Sequence, residues 1–144
     1  MLTSRANSLF AVLAIGGLGL LGCESTAAQA PVGEPKLSWI QTNVFAKSCV
    51  NSACHGNGAS PAGQLSLSDT ATSFAALVNA GSSQQWDTGK QMVRVVPGKA
   101  AESLLNLAVT TGYKAVKQMP LGAPLDAYKQ EAIRAWIAGG ALNN

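Results

Sequence analysis

Two of the chain's three cysteines, Cys49 and Cys54, and its single histidine, His55, share the short stretch CVNSACHG. Two thiols and an imidazole this close can close a disulfide, hold a metal ion, or anchor and ligate a metal-bearing cofactor. On an unbroken α-helix, residues five apart lie about 140° apart around the axis, so the two sulfurs could not face one partner. Val50-Asn51-Ser52-Ala53 contains turn formers, and a loop there lets both sulfurs converge with His55 directly after them. A disulfide suits an exported chain and would leave His55 an ordinary surface residue. Zinc needs four ligands, and the stretch offers only three soft donors.

Cys-Cys-His with the last two adjacent resembles the haem-attachment site of c-type cytochromes, in the variant with four residues between the cysteines. The resemblance implies that Cys49 and Cys54 add to the vinyl groups of one haem c and that His55 coordinates its iron. It extends along the chain. Val96-Pro97-Gly98-Lys99, Glu102-Ser103-Leu104-Leu105, Met119-Pro120, Ala135-Trp136-Ile137 and Gly140-Ala141 follow the order found in bacterial cytochrome c-like domains, including the planctomycete-type group. Over residues 37–141 it implies an all-α class: a small cytochrome c-like fold of about four helices around a covalently bound haem, with the N- and C-terminal helices crossing. It also implies that the methionine of the Met-Pro pair, Met119, is the distal iron ligand. Met92, within the apolar run MVRVV, reads as core filling and is the alternative ligand, and a haem with no methionine ligand is the third case.

The elements that must position these residues begin after a targeting segment. Arg5 precedes an apolar stretch over residues 9–21, shorter than the about 20 residues a membrane-spanning helix needs. Leu20-Leu21-Gly22-Cys23 resembles the lipobox of bacterial lipoproteins, which implies cleavage before Cys23 and acylation of its thiol. Residues 1–22 are therefore the expected signal peptide, 23–36 a flexible Ala/Ser/Pro/Gly tether, and 37–144 the folded haem domain. A signal ending at Ala28-Gln29-Ala30 is the alternative.

Apolar spacing predicts helices over residues 37–47, 69–79, 101–109 and 125–138, with Ser38 capping the first and Ser68 or Asp69 the second. The last helix should pack on the first. Residues 92–96 could be extended, but no partner strand is evident and a sheet is not expected.

With hydrophobic residues at 47% and charged ones at 12%, the chain is a small folded unit. Its net charge of +3 is scattered singly, which argues against a nucleic-acid face. Paired carboxylates near His55, a nucleophile elbow and a phosphate loop are all missing. Leu65, Leu67, Leu77, Leu104, Leu105 and Ile137 are candidates for apolar haem walls. Arg94 could reach a haem propionate or lie solvated on a strand; Lys114 and Lys117 could steer an acidic partner or simply solvate the surface. The expected function is one-electron transfer, not enzymatic turnover, by a monohaem cytochrome lipid-anchored on the periplasmic side of a bacterial membrane, with periplasmic or membrane redox proteins as partners. The alternatives are a haem enzyme or gas sensor with an open iron position, and a haem-free, disulfide-bonded lipoprotein module.

Overall fold

The computed structural model describes residues 35–51, 53–57, 62–114 and 116–144. The signal peptide, the lipidation candidate Cys23 and the tether up to residue 34 lie outside the described residues. No helix among the described residues is long and apolar enough to cross a membrane.

The first helix, α1, starts α-helical at Leu37–Ile40, widens into a π-helical turn at Gln41–Phe45 and closes α-helical at Ala46–Ser48. Leu37, Ile40, Val44 and Phe45 recur at helical spacing and are fully buried, as an amphipathic stripe requires. Ser38 does not cap it. The free amides of Leu37 and Ser38 donate instead to the side-chain and backbone oxygens of Asn144, a contact from the far end of the chain. Helix α2, Thr70–Leu77, is capped as expected by Asp69, whose carboxylate accepts from the Thr72 amide at 2.9 Å. Two further helices follow: α3, Leu104–Thr110, preceded by a single 3-10 turn at Ala100–Glu102, and α4, Ala127–Ala138. Ile133, Trp136 and Ile137 of α4 join Leu37, Ile40, Val44 and Phe45 of α1 in one core cluster.

The expected all-α class is overturned by a two-stranded antiparallel sheet. Strand β1, Gly81–Gln85, pairs with β2, Gln91–Val93, across an irregular register, and the architecture is mixed α/β. The partner strand went unseen because GSSQQ has no apolar alternation. Its pairing is sustained by the ladder and by the turn, where Gly89 donates to the Trp86 carbonyl and Trp86 to the Lys90 carbonyl. A parallel bridge between Val78 and Val95 ties the hairpin base to the end of α2.

Candidate functional site

The CVNSACHG stretch leaves α1 at Cys49 and is folded by Asn51. The Asn51 side-chain oxygen accepts from the Ala53 amide at 3.0 Å, and its backbone carbonyl accepts from Cys54 at 3.1 Å and Gly56 at 3.3 Å. Gly56 has to be glycine, since a Cβ there would sit 2.8 Å from that carbonyl oxygen. The His55 amide returns to the Cys49 carbonyl, 3.1 Å away. The predicted loop thus brings the residues together: Cys49 and Cys54 are half-buried free thiols, close enough for one to influence the other's ionisation.

Burial, and secondarily the neighbouring Cys54, push the Cys49 thiol up to about 11. At neutral pH the sulfur keeps its proton. A raised native pKa contributes stability that is present below the unfolded-chain value, about 8.5, and is lost as pH climbs from there towards the native value. Before a cofactor is attached, the urea midpoint of the parent should therefore fall between about pH 8.5 and 11, and that of Cys49→Ala should fall less.

The imidazole is oriented from behind. His55 Nδ1 lies 3.1 Å from the Leu65 carbonyl oxygen, and because a carbonyl only accepts, Nδ1 must carry the hydrogen. That tautomer leaves Nε2 with a free lone pair, the arrangement in which histidine ligates a metal. The Leu65–Leu67 segment is fixed in turn, for the Leu67 amide donates to the His55 carbonyl at 2.8 Å. Gln41, in the π-helical turn, donates to the Leu67 carbonyl at 2.8 Å and accepts from the fully buried Ser73 hydroxyl at 2.7 Å. This buried chain links α1 and α2 to the segment that orients His55. Periodicity could not reveal it; a glutamine on the buried face of α1 was the available signal.

Cys49, His55 and Met119 line one cavity of about 340 Å³. Its walls are mostly apolar, with Leu65, Leu67, Leu77, Leu104, Leu105 and Ala108 among them. Of the six expected wall residues, Ile137 does not take part and lies in the α1–α4 core. Phe45 and the strand residues Ser82, Ser83 and Gln84 do take part and were missed. Cys54 is adjacent to the lining, not in it. Met92 is fully buried and is not among the lining residues.

Met119 is delivered by the loop that returns along α3, where its amide donates to the Ala108 carbonyl at 2.7 Å. Arg94 also lines the cavity, from the residue that follows β2. Its guanidinium donates to the carbonyls of Ala76 at 3.0 Å, Gly63 at 3.1 Å and Gln64 at 3.4 Å, and among the described residues it has no carboxylate partner. Lys114 is paired with Asp87, so only Lys117 of the two loop lysines lines the cavity.

The residues present suit a haem. The volume falls in the range of cofactor sites, about 300–1,000 Å³, the walls are apolar, and a tautomer-fixed imidazole, a thioether and a thiol share the one space. Among the described residues, no three His, Cys, Asp or Glu side chains are grouped so as to hold a metal ion on their own. No protein-family model, curated protein or solved structure matches the chain.

Proposed function

We propose that this protein carries single electrons by means of one haem c, attached through Cys49 and Cys54 and ligated by His55 and Met119. The observation that carries the reading is the His55 Nδ1 bond to the Leu65 carbonyl, made by a ring that shares its cavity with Cys49 and Met119. When bound, haem supplies an iron that gains and loses one electron, and His/Met ligation favours a raised potential. The chain's own residues do the rest. The Leu65 carbonyl orients the proximal imidazole, and Asn51 shapes the loop that offers both thiols. Apolar walls exclude water, and Arg94 presents a cation at the rim for an acidic edge of the cofactor. The acylated Cys23 would hold the domain on the periplasmic side of the membrane, within reach of other exported redox proteins.

The test is the visible spectrum of reduced, fully matured protein from a host with a c-type haem attachment system. Six-coordinate, low-spin haem c is the expected result. A five-coordinate, high-spin spectrum would reassign the protein as a haem enzyme or gas sensor with an open iron position. Colourless protein would overturn the haem altogether and favour the disulfide-bonded module.

A further inference from the structure

The hairpin that breaks the all-α expectation reaches the loop carrying Met119. At its tip, Trp86 meets Tyr113 edge to face, with ring centroids 5.3 Å apart and planes at 65°. The next residue, Asp87, pairs with Lys114, whose ammonium lies 5.7 Å from the centre of the Tyr113 ring. Both partners belong to the turn between α3 and Met119. Tyr113 and Val116 exchange two backbone hydrogen bonds of 2.9 Å there. Gly112 enters it at φ 72°, where a Cβ would stand 2.7 Å from the Val116 carbonyl oxygen.

Only Lys117 and Gln118 separate this turn from Met119, and the Gln118 side chain is itself tied to the Thr110 carbonyl. A displacement of Tyr113 is therefore passed on to the sulfur with little slack. Met119 itself is held by its amide bond to the Ala108 carbonyl. The turn before it is held by the hairpin tip, and the same hairpin contributes Ser82, Ser83 and Gln84 to the cavity lining.

We infer that the β1–β2 hairpin is a clasp for the distal ligand: Trp86 and Asp87 are positioning residues that grip Tyr113 and Lys114 and so keep the Met119 thioether on the cofactor. This rests on the haem reading above. A loop that departs more readily yields its coordination position more readily, so an added ligand reads the grip directly.

The experiment titrates ferric, haem-loaded protein with imidazole. Trp86→Ala should raise the apparent imidazole affinity by roughly 2- to 10-fold, the range expected for loss of one aromatic pair. Trp86→Phe, which keeps a ring at the contact, should restore most of the parental value. Asp87→Asn, on the exposed tip, should move in the same direction as Trp86→Ala, and it carries the test if the alanine variant does not mature. In a Met119→Ala background, Trp86→Ala should have no effect, because the clasp acts through the sulfur. Unchanged affinity in the first variants, or an equal gain without Met119, overturns the clasp while leaving the electron carrier standing. A colourless parent overturns both.

Discussion

Matured protein carrying Cys49→Ala together with Cys54→Ala is expected to lose all of its porphyrin on denaturing electrophoresis, while the parent retains its colour in the band. The reason is covalent. Once the chain unfolds, the apolar walls, the Leu65 carbonyl and both axial side chains let go together, and only thioether bonds can survive. Each single variant keeps one such bond, so each should show a weakened band. The half-burial of both thiols and their closeness make them serviceable as a pair, although Cys49 lines the cavity and Cys54 stands beside it. Porphyrin persisting in the double variant would show attachment elsewhere in the chain, and the assignment of these two sulfurs would fall.

Met119→Ala should lower the reduction potential by on the order of 100 mV, a part of the about 0.8 V that axial ligation spans across haem proteins. It should also turn the low-spin parental spectrum into one that responds to added ligands. Loss of the thioether leaves His55 as the sole protein ligand in this reading, and alanine offers no atom that could coordinate in its place. The matching change at Met92 should leave potential and spectrum near the parental values, because that side chain is buried away from the cavity lining. If Met92→Leu moves the potential and Met119→Ala does not, the distal assignment is wrong.

Much of the helical frame could be read from residue order. Leu37, Ile40, Val44 and Phe45 repeat at helical spacing, and so do Ala132, Ile133, Trp136 and Ile137; each set emerges as a buried stripe. Asp69 announced the start of α2 because an Asx cap is a contact between near neighbours. Ser38 gave a similar local signal that proved misleading. The helix starts one residue earlier, at Leu37, and its first amides are taken by Asn144, a partner no local pattern contains. The hairpin was invisible for a related reason: GSSQQ is held by its pairing to Gln91–Val93, not by any preference of its own.

For the site, the grouping of Cys49, Cys54 and His55 belonged to the sequence alone, since five residues of chain keep them together in almost any fold, and Asn51 and Gly56 supply the turn chemistry that curls them. What tertiary structure decided was every partner reached from a distance. It chose Met119 over Met92 for the cavity, put the Leu65 carbonyl behind the imidazole, braced that segment through Gln41 and Ser73, and tied Arg94 to three carbonyls. Side-chain type and spacing specify contacts within a turn or two. Contacts across many residues depend on which surfaces bury one another, and that is known only once the chain has folded.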